Sequence, residues 1–177
     1  LRVFKCRVNN TITNISDWDT VQQYYECVFT NCTGNGVKVS SNHCIVKSCL
    51  FNGCAGKLIY QAANPGNYWV IQGNIFNGGS EALRFYTYTY QTPEGSACDN
   101  IFSNLTSTAI QNSATTTKFL ISRNAFYNNT ANYSGTHEDN VIIQQDPYVD
   151  ASGGDFNIAN NLNGGSVLRS TKFTLGG

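Results

Sequence analysis

Methionine is absent from this sequence, and charge is scarce: 11 Lys and Arg face 11 Asp and Glu in 177 residues. So few cations cannot line a phosphate backbone, which argues against a nucleic-acid partner. Long apolar runs are missing too. The longest, "YWVI" at 68–71 and "FLI" at 119–121, are far shorter than a membrane span, so no span is expected. No stretch of ten or more helix-forming residues occurs, which excludes helical repeats. The cysteine spacings match neither a zinc site nor a redox CxxC pair.

Asn, Ser, Thr and Gly occupy the space left by charge. Such a polar, uncharged surface is typical of secreted and cell-surface proteins, and seven cysteines point the same way, to an oxidising compartment. The chain opens on Leu1 without a charged-then-apolar leader, as expected if a targeting segment is removed or lies upstream.

A short phrase recurs along the chain: "CVF" at 27–29, "CLF" at 49–51, "NIF" at 74–76, "NIF" at 100–102 and "NAF" at 124–126. Its phenylalanines, Phe29, Phe51, Phe76, Phe102 and Phe126, lie 22 to 26 residues apart, and Phe4 is placed as a degenerate first copy. Two residues after each Phe stands Asn31, Gly53, Gly78, Asn104 or Asn128, types that accept the left-handed backbone of a tight corner. Runs of three to five β-favouring residues fill the rest of each period.

These features predict an all-β chain, a right-handed parallel β-helix of about five to seven coils in a single domain spanning 1–177. Coils are centred near Phe4, Phe29, Phe51, Phe76, Phe102 and Phe126, with residues 146–177 as a C-terminal cap and tail. Equivalent residues should stack. The five later Phe residues form one inward column, and Asn74, Asn100 and Asn124 form a ladder that Cys27 and Cys49 share.

The repeat resembles the parallel β-helix proteins of the pectate-lyase-like superfamily, and "DPYVDASGGDFNIANNLNGGSVLRS" at 146–170 is similar to the closing segment of bacterial and environmental β-helix repeat proteins. That resemblance implies architecture. It does not imply one activity, because lyases, hydrolases, phage spikes and non-catalytic proteins share the fold.

The superfamily's enzymes imply clustered Asp residues, and here Asp99 has no acidic neighbour one coil away while Glu81 stands alone. No catalytic residue and no metal ligand is assigned. The densest acidic group, "HEDN" at 137–140 with Asp146 and Asp150, has oxygen ligands of the kind calcium takes, but a solvated loop is the expectation. His43 and His137 have no Ser or Cys partner at a triad spacing.

Alternation along "RFYTYTYQ" at 84–91 puts Arg84, Tyr86, Tyr88 and Tyr90 on one face, suited to a sugar ring or another subunit. Six N-x-S/T sequons, at Asn9, Asn14, Asn31, Asn104, Asn128 and Asn132, offer sites for covalent glycans. Adjacent coils approach to about 4.8 Å, within reach of a disulfide. The favoured pairing is Cys27–Cys49 with Cys32–Cys54, the alternative Cys27–Cys32 with Cys49–Cys54. One of Cys6, Cys44 and Cys98 is then left over.

Solenoid ends carry unpaired backbone, and both "LRVFKCRV" and "STKFTLGG" are β-favouring. The leading expectation is an extracellular structural glycoprotein that self-associates head to tail into a fibre or surface layer. The second is a carbohydrate-binding or carbohydrate-cleaving β-helix acting through the Tyr face around Arg84.

Overall fold

The computed structural model describes residues 2–9, 15–17, 21–39, 43–61, 68–85, 94–112, 118–133, 139–159 and 163–170. Strands come in threes. The first coil holds β1 (Arg2–Phe4), β2 (Arg7–Asn9) and β3 (Ile15–Asp17), and the second β4 (Val21–Tyr25), β5 (Val28–Thr30) and β6 (Val37–Val39). Next come β7 (His43–Lys47), β8 (Leu50–Asn52) and β9 (Lys57–Gln61), then β10 (Tyr68–Gln72), β11 (Ile75–Asn77) and β12 (Glu81–Phe85). A fifth set is β13 (Glu94–Cys98), β14 (Ile101–Ser103) and β15 (Thr108–Asn112), and a sixth β16 (Lys118–Ser122), β17 (Ala125–Tyr127) and β18 (Ala131–Tyr133). After them stand β19 (Val141–Ile143), β20 (Tyr148–Asp150), β21 (Asp155–Ile158) and helix α1 (Asn163–Ser170).

Corresponding strands pair in parallel into three faces, ordered β1-β4-β7-β10-β13-β16, β2-β5-β8-β11-β14-β17-β19 and β3-β6-β9-β12-β15-β18. The chain is therefore a parallel β-solenoid. Four interior turns, β4 to β15, have a turn stacked on either side, somewhat fewer fully packed turns than the Phe repeat suggests.

Alternation in the short second-face strands decides what enters the core. In Val28-Phe29-Thr30 the central ring points inward, and the register sets Phe29, Phe51, Phe76, Phe102 and Phe126 one above another. Their rings stack at 4.6, 5.0, 5.0 and 5.2 Å, tilted by no more than 16°. All five are buried, and removing any one from water is worth roughly 2–3 kcal/mol.

Phe4 is not the first member of this column. It pairs with Tyr25 on the first face, lies 61% exposed, and the residue beneath Phe29 is Val8. The coil expected near Phe4 exists, but its inward residue was misplaced because a lone Phe at the right interval does not fix which strand carries it.

A second aromatic cluster went unseen in the sequence because its members come from two different faces. Trp69, Phe85 and Phe119 pack at centroid distances of 4.9 and 4.4 Å. Gly95 makes room for them: its φ is +124°, and a Cβ there would sit 2.0 Å from the Trp69 carbonyl oxygen.

The Asn/Gly corner is left-handed as expected, with φ between +49° and +68° at Asn31, Gly53, Gly78, Asn104 and Asn128. The corner before the second face is left-handed too. Lys5, Glu26, Ser48, Asp99, Arg123 and Asp139 hold φ between +49° and +58° there, with Gly73 in the same row. That conformation costs about 1 kcal/mol per non-glycine residue, and backbone hydrogen bonds to the next coil, such as Glu26 N–H to Lys47 O at 3.0 Å, offset it.

Of the expected cap and tail at 146–177, residues 146–159 and 163–170 are described. They fold back along the outer side of the second face, where Tyr148, Phe156 and Leu168 bury Ile101, Ala125 and Ile143 and pack against Leu50 and Ile75. The Tyr148 hydroxyl lies 2.9 Å from Ser103 Oγ. The strap follows from residue type: the outward Leu50, Ile75 and Ile101 make an apolar strip that needs a cover.

Candidate functional site

One column runs the length of the solenoid beside the second face: Cys6, Cys27, Cys49, Asn74, Asn100, Asn124 and Asn140. Each Asn amide bridges two coils. The Asn74 N–H and Nδ2 both donate to Asn100 Oδ1, at 3.0 and 2.9 Å, while Nδ2 also donates back to Val46 O at 2.9 Å. Asn100 repeats this toward Asn124 Oδ1 and Ile71 O, and Asn124 toward Asn140 Oδ1 and Ala97 O. Three fully buried amides are thereby satisfied, as burial requires.

Where cysteine takes the place of asparagine the bonding thins. The Cys27 N–H reaches Cys49 Sγ at 3.4 Å, and the Cys49 thiol donates to Lys47 O at 3.3 Å. All seven cysteines are free thiols. Cys27 and Cys49 stack as expected, and Cys32 lies in one column with Cys54, but neither the favoured pairing nor the within-coil alternative is closed in this structure. Burial pushes the Cys49 and Cys54 thiols up to about 12 and raises Cys44 and Cys98 as well.

The sequon asparagines differ in what their amides do. Asn128 Nδ2 donates to Asn104 Oδ1 at 2.8 Å, and Asn104 Nδ2 to Asn77 Oδ1 at 2.7 Å, part of a second, outer ladder reaching Asn52. Asn9 and Asn132 use their oxygens, accepting from Thr30 Oγ1 at 3.0 Å and Asn129 Nδ2 at 3.3 Å. Asn31 is exposed on its corner, and Asn14 lies outside the described residues.

Arg84 is engaged with its neighbour. Its Nη1 donates to both Glu81 carboxylate oxygens at 2.9 and 3.0 Å, so Glu81 is held in an ion pair. Tyr86, Tyr88 and Tyr90 lie outside the described residues, as do His137 and Glu138. Of the other candidate calcium ligands, Asp146 accepts from the Tyr148 N–H at 2.9 Å, and Asp150 from Ser152 Oγ and the Gly153 N–H at 2.7 and 2.9 Å. These bonds, the Ser152 hydroxyl first, hold the Asp150 carboxyl below its usual range. Among the described residues no three acidic, His or Cys side chains are grouped to hold a metal ion, and no helix is long and apolar enough to cross a membrane.

Asp99 has a partner that a search for paired carboxylates overlooks. The Arg123 guanidinium, one coil on, grips its buried carboxylate through Nε and Nη2 at 2.9 and 2.8 Å, and Asp99 in turn raises the pKa of Arg123. The signal was available, since both residues directly precede a ladder asparagine.

At the C-terminal end, Ile142 tops the Phe column yet remains 47% exposed. Phe126, Tyr127, Asn128, Asn129, Asn132, Ile142, Ile143 and Gln144 enclose a cleft of about 270 Å³ there. No protein-family model matches the chain, and no curated protein or solved structure is significantly similar to it.

Proposed function

We propose that the protein is an extracellular structural solenoid of the pectate-lyase-like kind, glycosylated on its corners and assembled end to end into a fibre or surface layer. The observation that carries this reading is the exposed terminal turn. β19 is the last strand of the second face, and apolar Ile142 lies half open above a continuous aromatic stack. A parallel sheet edge of that kind is completed by another parallel strand.

Glycans belong at Asn31 and the other sequon corners in this reading. Electron microscopy of concentrated protein, paired with native mass before and after deglycosylation, tests both parts. Elongated assemblies and a mass drop are expected; strictly monomeric, unmodified protein overturns the proposal.

The terminal cleft favours a second reading, carbohydrate binding, because amide groups beside Tyr127 and Ile142 are the lining that sugar hydroxyls and ring faces take. Retention on immobilised polysaccharide that is lost in Gln144→Ala supports it. Arg84→Ala, by contrast, should leave retention unchanged, since Glu81 already neutralises the charge of that guanidinium.

A further inference from the structure

The cysteines of the second and third coils stand in one register. Val28 pairs with Leu50 and Thr30 with Asn52, so Cys27 stacks on Cys49 at one end of β5 and β8, and Cys32 on Cys54 at the other. Backbone bonds beside each pair, from the Leu50 N–H to Cys27 O at 2.9 Å and from the Ala55 N–H to Cys32 O at 2.8 Å, hold the two coils at strand spacing. All four side chains are buried, and they flank the stacked rings of Phe29 and Phe51.

Their sulfurs also point alike. Each thiol donates to the carbonyl two residues back: Cys27 to Tyr25 O and Cys49 to Lys47 O, both at 3.3 Å, Cys32 to Thr30 O at 3.7 Å and Cys54 to Asn52 O at 3.8 Å. Within each pair the two side chains interact directly, and the Cys27 N–H reaches Cys49 Sγ at 3.4 Å. None of the other three cysteines is aligned in this way. Cys6 shares the column of Cys27, but its thiol turns toward Arg7 O; Cys44 is stacked between Gln22 and Trp69, and Cys98 between Gln72 and Ser122.

We propose that Cys27–Cys49 and Cys32–Cys54 are disulfide sites, two covalent rungs that tie the second coil to the third on either side of the Phe column. The sequence leaves the within-coil pairing open, and the strands remove it. β5 and β8 each place three extended residues between their flanking cysteines, about 10 Å of chain, which exceeds the roughly 7 Å between Cα atoms that a disulfide spans. The diagonal pairing, Cys27 with Cys54 and Cys32 with Cys49, fails for the same reason. The rungs also begin where the amide ladder stops, since Asn74 Oδ1 accepts the Cys49 N–H at 2.9 Å.

Because the thiols are buried once the coils have stacked, the bonds close during folding. One cysteine thiolate attacks a sulfur of a small disulfide such as oxidised glutathione and releases a thiolate. Its column neighbour then attacks the cysteine sulfur of the mixed disulfide and releases the second, so two protein thiols are oxidised while one disulfide is reduced to two thiols.

The test is refolding of the full chain in a glutathione redox buffer, followed by alkylation of residual thiols and peptide mapping without reductant. Linked peptides carrying Cys27 with Cys49 and Cys32 with Cys54 are expected, with Cys6, Cys44 and Cys98 alkylated. Cys27→Ala should leave Cys49 open to alkylation and Cys32–Cys54 closed, and Cys54→Ala should do the converse. Reductant should lower the folding equilibrium constant of the native chain roughly a hundredfold per bridge, and should leave a Cys27→Ala/Cys32→Ala double variant unchanged. Within-coil or diagonal links, a Cys6–Cys27 link, or alkylation of all the cysteines overturns the assignment. Correct links with a stability indifferent to reductant overturn their role as ties between coils.

Discussion

The two halves of the solenoid solve one problem with different chemistry. On the C-terminal side Asn74, Asn100 and Asn124 each join two neighbouring coils through an amide; on the N-terminal side Cys6, Cys27 and Cys49 fill the same column with sulfur. An amide supplies two donor hydrogens and a strong acceptor, whereas a thiol offers one weak donor and a weak acceptor. The C-terminal half also carries the Asp99–Arg123 pair and the strap over its flank. The solenoid should therefore be firmest from Asn74 onward and fray from its first turns.

The strongest way to break this comparison is to remove the central amide. Asn100→Ala leaves the Asn74 N–H and the Ile71 carbonyl buried without their partner, a loss of about 4 kcal/mol in chemical denaturation, whereas Cys49→Ala should cost about half that. Equal losses would show that the two halves are held alike.

Next comes pH. The folded-state pKa of Cys49, about 12, lies above the unfolded value of 9.0, and Cys44 is raised likewise, so their stabilising effect is complete below pH 9 and is lost as pH rises toward 12. By pH 10 each of these two thiols should remove about 1.4 kcal/mol. Hydrogen exchange should show the loss first in the cysteine-bearing coils. An alkaline transition that is unchanged in Cys44→Ala would contradict it.

Smaller effects sharpen the contrast. Cys49→Asn should extend the ladder by a rung and raise stability by about 1 kcal/mol, read as a shift of the denaturation midpoint. Tyr148→Phe should cost about 1 kcal/mol, because Ser103 keeps its bonds to Phe76 O and Asn77 Oδ1. That loss should be confined to the coils beneath the strap.

What the sequence disclosed and what it hid divide along the same physical line. Columns built from one repeated residue type were legible, because stacking in a parallel solenoid rewards identity: hence the Phe stack, the amide ladder and the Asn/Gly corner. Columns built from different types were not. Lys5, Glu26, Ser48 and Arg123 share a left-handed corner although none is a residue that usually signals one, and the rings of Trp69, Phe85 and Phe119 meet in the core from two different faces.

The candidate site was read less fully than the fold. Arg84 was placed on one face with Tyr86, Tyr88 and Tyr90, but the carboxylate that neutralises it lies three residues away on the same strand. The cysteines were placed in the correct columns, yet column sharing describes proximity and does not form a bond. The cap was expected over the end of the stack, and its described part packs on the flank against the outward Leu50, Ile75 and Ile101.

That strap also bears on the order of events during folding. It touches Leu50, Ile75, Ile101 and Ala125, which belong to four successive coils, so its seat does not exist until those coils have stacked in register. Docking of Tyr148 and Phe156 is then a late step that acts as a check on completeness. A chain with one misregistered coil would leave both rings in water, where quality control recognises exposed aromatic surface.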